Sequence, residues 1–405
     1  MTKLWDYVEI VGRNAIEELL MLADRLSHKS MLHVNSTAIG GGVAEILHRL
    51  VPLMNELDID TRWDVIKGGQ EFFRVTKSFH NGLQGNPLEL TADMLNTYLE
   101  TNEMNAREIN FDRDVIFIHD PQPAALISMK DNSHKWVWRC HIDLSSPQEE
   151  AWNFMRRYIN RYDVTIFSIP AFGRPDLTLK QFTIPPSIDP LDDKNRDLSA
   201  EEVNRFLDKY EISHEKPIIT QVGRFDRFKD PIGVVEVYKR IKKSRDCQLV
   251  LAGGTATDDP EGAVVYKEVQ NRVEGDPDIH LLVSISDLEV NALQRASSVI
   301  LQKSLREGFG LTVSESMWKG KPVIGGAVGG IPLQVKNGIT GYLVRTIEGA
   351  VNRTLMLLRN SELAEKLGEN GKEHVKRNFL ITRHIRDYLF IMHVLEHPRE
   401  DFIQL

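Results

Sequence analysis

At 405 residues the chain exceeds what one ordinary α/β core holds, since single cores stop growing near roughly 250–300 residues, so two or three domains are expected. A hydrophobic fraction of 41% supports large cores, yet no run approaches the ~20 apolar residues of a spanning helix, and the charged stretch MTKLWDYVEIVGRN lacks a secretory apolar segment, so a cytoplasmic protein is expected. Two distant cysteines, Cys140 and Cys247, exclude a disulfide scaffold and a Cys-rich zinc site; a net charge of −8 speaks against a nucleic acid partner while leaving room for a local cationic pocket.

Short β-rich runs alternate with amphipathic helices, a pattern that predicts α/β architecture with parallel sheets. A helix near Ile10–Leu26 precedes strands at Met31–Asn35 and Thr61–Ile66, with a helix over Val43–Leu57 whose apolar residues recur at 3.6-residue spacing. Further strands are expected at Val115–His119, Trp136–His141, Val164–Ser168 and Phe182–Ile184. The stretch IPPSIDPLDDKNRDLS (184–199) holds three prolines and a burst of charge, which excludes a central strand or helix interior and reads as an interdomain linker. A second α/β run follows, with strands at Ile218–Val222, Gln248–Ala252, His280–Val283, Val299–Gln302 and Pro322–Ile324. Helices are expected to begin near Pro231, Pro260, Ser286 and Leu311.

The tail carries an apolar stripe of Ile381, Ile385, Tyr388, Leu389, Met392 and Leu395, with Arg383, Arg386 and Asp387 opposite. With no strand after it, this helix is expected to cross back onto the N-terminal domain. The domains are then 1–190, 191–375 and a returning tail of 376–405. Two doubly wound domains would face each other across a ligand cleft at the carboxyl ends of their sheets.

Six segments carry candidate chemistry. EGFGLTVSE (307–315) follows a short strand and opens a helix, so Gly308 and Gly310 allow close backbone approach and the helix end suits a phosphate. Glu307 lies in the loop before that helix, and Glu315, a turn inside it, suits vicinal hydroxyls such as those of a ribose. VGRFDRFKD (222–230) places Arg224 and Lys229 beyond a strand end, where two cations neutralise a diphosphate, unless Asp226 and Asp230 merely pair with them. TAIGGGVAE (37–45) sets Gly40, Gly41 and Gly42 at a βα turn, either a ligand loop or only a tight turn. HDPQPAAL (119–126) and WRCHIDLS (138–145) end strands with His119, Asp120, Arg139, His141 and Asp143, a polar cluster suited to sugar hydroxyls. Neither HxH nor HExxH spacing is present, and Asp58-Ile59-Asp60 reads as a solvated connection, so no metal site is assigned. MWKGKPVIGGAVGGIP (317–332) crowds Gly325, Gly326, Gly329 and Gly330 after a strand, which allows close packing beside the nucleotide loop.

Together, and in this order, these motifs resemble the family-4 retaining glycosyltransferases, whose pattern joins a glycine-rich N-domain loop, a G-R-x4-K clamp and an E-x7-E element. The strings quoted above are most similar to the trehalose glycosyltransferring synthases of that family. The resemblance implies a GT-B fold, two Rossmann-like domains with a returning C-terminal helix, and a retaining hexosyltransferase. The implied reaction interconverts nucleoside diphosphate glucose plus glucose with trehalose plus nucleoside diphosphate. Arg224 and Lys229 would hold the diphosphate and Glu315 the ribose. Glu307 and the backbone of Gly308, Phe309, Gly310 and Leu311 would hold the donor glucose. Gly40–Gly42 would close over the donor, and His141 would lie near the transferred sugar. His119, Asp120, Arg139 and Asp143 would join His141 in the acceptor pocket.

The family needs no metal or cofactor, and neither nucleic acid nor membrane is an expected partner. A homodimer stays open. No residue can be assigned as a nucleophile or base on the face opposite the leaving group, so the departing phosphate oxygen is expected to take the acceptor proton. The competing readings are a retaining trehalose phosphorylase, a GT-B sugar-nucleotide epimerase and a non-enzymatic sugar-nucleotide sensor.

Overall fold

In the computed structural model, residues 2–131, 133–254 and 260–397 are described, and they form two compact units. The first runs to Ser187 and takes in the tail from Ile381; the second is Ile188–Leu380. The end of the tail, 398–405, lies outside the described residues.

The first unit is built on six parallel strands: β1 (Ser30–Asn35), β2 (Asp60–Val65), β3 (Val115–His119), β4 (Lys135–Arg139), β5 (Val164–Phe167) and β6 (Lys180–Thr183). Their order is β2-β1-β3-β4-β5-β6, so the chain reverses its direction of winding between β1 and β3. In such a sheet ligands bind beyond the carboxyl ends of the strands at the reversal. β3 and β5 are buried along their whole length, as helices on both faces require. The helix Gly42–Glu56 buries Ile46, Leu47, Leu50, Leu53 and Met54 on the expected face and tolerates Pro52 in its interior. The first helix is broken where the periodicity predicts continuity. Gly12, at φ 85°, separates a short helical segment, Leu4–Val11, from the helix Arg13–Asp24.

The tail helix Ile381–Glu396 belongs to this first unit. Ile381, Ile385, Tyr388, Leu389, Met392 and Leu395 are all buried, each burial contributing about 1.5–3 kcal/mol. Tyr388 stacks on Phe117 with ring centroids 4.8 Å apart, and His393 Nε2 lies 3.1 Å from the Leu22 carbonyl. Arg383 departs from its expected solvated face. It donates to the Pro185 carbonyl at 2.7 Å and pairs with Asp387 at 2.8 Å, with only 10% of its side chain exposed.

The second unit carries β7 (Ile218–Val222), β8 (Gln248–Gly253), β9 (Ile279–Val283), β10 (Val299–Gln302), β11 (Val323–Gly326) and β12 (Gly341–Val344). All are parallel, in the order β12-β11-β10-β7-β8-β9. That is the dinucleotide-fold order, and its reversal falls between β7 and β10. β12 is a strand the sequence pattern does not reveal; it is an edge strand with only Tyr342, Leu343 and Val344 as apolar residues. Helices begin at Pro231, Pro260, Asp287 and Leu311. Ser286 starts the third of these with a reciprocal capping box to Glu289.

The expected linker is not a free connection. From Ile188 onward it is laced onto the second unit. Asn291 donates to the Asp193 and Arg196 carbonyls at 2.9 and 2.8 Å, Arg295 reaches the Arg196 carbonyl at 2.9 Å, and Lys319 reaches Asn195 Oδ1 at 2.9 Å. The prolines and charges rule out regular structure, but buried side chains from neighbouring helices satisfy the backbone instead.

Candidate active site

At the reversal of the second sheet, the loops after β7 and β10 lie side by side. The β7 loop carries Arg224 and Lys229, and the β10 loop carries Lys303, Ser304 and Glu307. Lys229 Nζ donates to Glu307 Oε2 at 2.5 Å, and Ser304 Oγ donates to the same oxygen at 3.1 Å. Lys303 pairs with Asp230 in the opposite sense. The Leu305 amide donates to the Phe228 carbonyl at 2.7 Å, and Gln221 Nε2, from β7, holds the Lys229 carbonyl at 2.7 Å. Two cation–anion pairs and a backbone bond thus cross-link the two loops. Asp226 and Asp230, the alternative partners the sequence offers to Lys229, serve other groups. Asp226 accepts from the Phe228 amide at 2.7 Å, and Asp230, at φ 52°, caps the helix Pro231–Lys242 through Gly233. Arg224 stands beside this pair with its side chain 53% exposed and a nitrogen 3.9 Å from Asp226.

The helix Leu311–Trp318 starts at Gly310, which is left-handed at φ 84°, and no side chain caps it. Its first amides and the positive end of its dipole suit an anion. Phe309 is buried edge-on against Phe379, its carbonyl accepting from Gln334 at 2.6 Å. The Gly308 carbonyl accepts from the Gly330 amide at 3.0 Å. Gly329 lies so close to the Glu307 carbonyl that a Cβ there would meet it at 1.6 Å. The second glycine run therefore packs closely against the loop that carries Glu307 and Gly308. Glu315 is 2% exposed. Gln294 Nε2 lies 3.4 Å from its Oε2, and Lys194 Nζ, on the strap that replaces the linker, lies 4.0 Å from its Oε1.

In the first unit, Gly40 and Gly41 have φ of 75° and 85°, which only glycine adopts at little cost, and Gly42 starts the following helix. Thr37 and His48 tie down the loop ahead of them through the Ile39 and Ala38 carbonyls at 2.8 and 3.0 Å. Across the reversal, three histidines form one chain. His33 Nδ1 lies 2.9 Å from His119 Nε2, and His119 Nδ1 lies 3.1 Å from His141 Nε2. Burial drives His33 down to about 3 and His119 and His141 well below the usual histidine range, helped at His119 and His141 by the Arg139 charge.

Asp120, at φ 65°, accepts from the His141 amide at 2.7 Å. Burial raises its carboxyl to about 7, against the opposing pull of that bond and of Arg139. Arg139 itself is fully enclosed, reaching the Ile184 carbonyl at 2.5 Å. Asp143 accepts from the Ser145 amide at 2.8 Å and fixes the turn after β4. Of the expected acceptor residues, His119, Asp120 and His141 are brought together, while Arg139 turns into the core and Asp143 into its own turn. His33, Lys303 and Lys194 were not legible as site residues. The first is hidden in a buried strand, the second at a strand end and the third in an apparent linker.

Among the described residues no group of three or more His, Cys, Asp or Glu is placed to hold a metal ion, and no helix is long and apolar enough to cross a membrane.

Residues 33–174 match the family described as "Trehalose synthase, N-terminal domain", and residues 202–374 match "Glycosyl transferases group 1". The chain is 49% identical over 397 residues to the trehalose synthase of Thermococcus litoralis, covering 96% of each. It is 30% identical to a trehalose phosphorylase of Pleurotus pulmonarius, covering 92% of this chain and 58% of that one. The structure of Anabaena HepE in complex with UDP and glucose superposes with a TM-score of 0.68 at 14% identity, over 91% of this chain and all of that one. The fold is GT-B, and the chain belongs to the trehalose synthase family of glycosyltransferases, enzymes of trehalose-related glycosyl transfer.

Proposed function

We propose that this enzyme is a retaining, metal-independent glucosyltransferase that interconverts nucleoside diphosphate glucose plus glucose with trehalose plus nucleoside diphosphate. The observation that carries the reading is the Lys229–Glu307 pair at the reversal of the second sheet. It sets a cation for the leaving phosphate beside a carboxylate for the glucose hydroxyls. Arg224 joins Lys229 in neutralising the diphosphate. The uncapped start of the helix at Leu311 and the backbone of Gly308–Leu311 face the donor, and Glu315 accepts from the ribose hydroxyls. In the first unit His141, set by His119 and Asp120, contacts sugar hydroxyls.

As the glycosidic bond breaks, charge grows on the phosphate oxygen. Lys229 and Arg224 stabilise that charge more than the ground state, which lowers the barrier. The acceptor hydroxyl bonds to C1 on the face that the phosphate leaves, and the departing phosphate oxygen takes its proton, so configuration is retained without a nucleophilic carboxylate. The protein's part is positioning and electrostatics.

Phosphorolysis is the second reading, favoured by the phosphorylase relative. The buried Glu315 with its Lys194 and Gln294 neighbours supports the nucleotide instead, because inorganic phosphate has no diol for it. The test is turnover of trehalose with uridine diphosphate, adenosine diphosphate or inorganic phosphate, following free glucose. Turnover with phosphate alone would replace the first reading with the second.

A further inference from the structure

The three-histidine chain has a property that its separate members lack. Its rings come from β1, from the end of β3 and from two residues beyond β4, so it crosses the reversal of the first sheet. Both links run from Nδ1 of one ring to Nε2 of the next, at 2.9 and 3.1 Å. Enclosure keeps all three rings neutral, helped at His119 and His141 by the nearby Arg139 charge. Three neutral imidazoles carry three protons. Two protons fill the two links, so the third must sit at one end, on His33 Nε2 or on His141 Nδ1.

The two ends differ. His33 Nε2 is buried and has no hydrogen-bond partner. The aromatic rings of Phe117 and Tyr388 lie 5.0 and 6.0 Å from its own, centroid to centroid. A buried N–H without an acceptor is rarer in folded proteins than an under-satisfied acceptor. The third proton therefore leaves the blind end, and each link then points from His33 towards His141. His141 is half-buried where His33 is enclosed, and its described hydrogen bonds run through Nε2 and the backbone amide, so Nδ1 is the end that a ligand can meet.

We propose that His33 and His119 are positioning residues that hold His141 in the tautomer protonated on Nδ1, so that the ring offers a sugar oxygen a hydrogen-bond donor. This rests on the reading of His141 as a sugar contact. It adds that His141 is no base at that nitrogen, which leaves the acceptor proton to the departing phosphate. Because the chain ends blind at His33, it orients a proton and conducts none.

The test is the tautomer itself. In the full-length protein carrying 15N-labelled histidine, long-range 1H–15N spectra separate protonated from unprotonated ring nitrogens, with the His141 signals assigned by His141→Gln. The expected result is all three rings protonated on Nδ1; all three protonated on Nε2 would overturn the proposal. His119→Leu removes the acceptor-filling link. His141 should then lose the donor that fixes its tautomer and show both ring forms in exchange, and kcat/KM for trehalose should fall about tenfold with the KM for uridine or adenosine diphosphate unchanged. Wild-type kcat/KM for trehalose in a folded His119→Leu protein would also overturn it. Should His141→Gln leave trehalose kinetics unchanged, the sugar contact fails, while the spectra still decide the direction of the chain.

Discussion

Lys229 Nζ sits 2.5 Å from Glu307 Oε2, across the two loops that leave the reversal of the second sheet. The side chains are 19% and 9% exposed, so the pair is not a solvated surface bridge. Together they set a cation and an anion side by side beyond the strand ends at the reversal, where sheets of this kind bind ligands.

The first prediction follows from that pair. Lys229→Ala removes the cation beside the leaving phosphate and should lower kcat by roughly 10²–10³, about 2.7–4 kcal/mol of barrier. Removing one member of a partly buried pair also leaves Glu307 uncompensated. Glu307→Gln in the same background should therefore restore thermal stability without restoring kcat. Steady-state kinetics with trehalose and a nucleoside diphosphate, beside melting curves, check both. Unchanged kcat in folded Lys229→Ala protein would sink the clamp assignment.

The second concerns Glu315, whose buried carboxylate is held between Gln294 and Lys194. Hydrogen bonds to a charged group contribute about 1.5–3 kcal/mol each. Glu315→Gln should weaken nucleoside diphosphate binding roughly tenfold to hundredfold by titration calorimetry. A 2′-deoxynucleoside diphosphate should bind the wild type weakly and lose much less affinity on the substitution. Equal losses for both nucleotides would place the ribose elsewhere.

The third is a pH dependence. Burial raises Asp120 from 3.8 to about 7, so between those values the unfolded chain has released a proton that the folded protein keeps. The unfolded state then binds fewer protons, and stability falls as pH rises through that window. Asp120→Asn keeps an oxygen for the His141 amide and removes the titration. The melting temperature of the variant relative to wild type should climb from about pH 4 to about pH 7 and level off above. A difference that stays flat with pH would mean Asp120 is ionised throughout.

Both sheets were legible in the sequence because parallel strands covered on both faces read as short apolar runs, such as Val115–His119 and Ile218–Val222. The β12 edge strand was not, since Gly341–Val344 offers three apolar residues and no alternation. Lys229 and Glu307 were recognisable one by one, each beyond a strand end. Their pairing was not, because 78 residues separate them and Asp226 and Asp230 lie nearer in sequence. His33 gave no signal, since a histidine inside SMLHVN reads like any polar residue in a strand. Its role appears only when β3 is placed next to β1 and β4 next to β3.

The last prediction separates two kinds of glycine. Gly40 has φ 75° with open space where a Cβ would go. Gly40→Ala therefore meets only the strain of a left-handed alanine, about 1–2 kcal/mol, in a loop. Gly329 has φ 52°, and its Cβ would lie 1.6 Å from the Glu307 carbonyl oxygen. No rotamer relieves that overlap, because the obstacle is backbone. The β10 loop must move, and with it the Glu307 carboxylate that Lys229 holds. Gly329→Ala should thus lower both the melting temperature and kcat, the latter at least about tenfold, since misplacement by about an ångström costs on the order of 10². Gly40→Ala should leave the melting temperature within a few degrees and act mainly on kcat/KM for the glucosyl donor. Kinetics and melting curves on the two variants make the comparison. A Gly329→Ala protein with wild-type kcat would mean that the loop between Ser304 and Gly310 yields without disturbing the pair it carries.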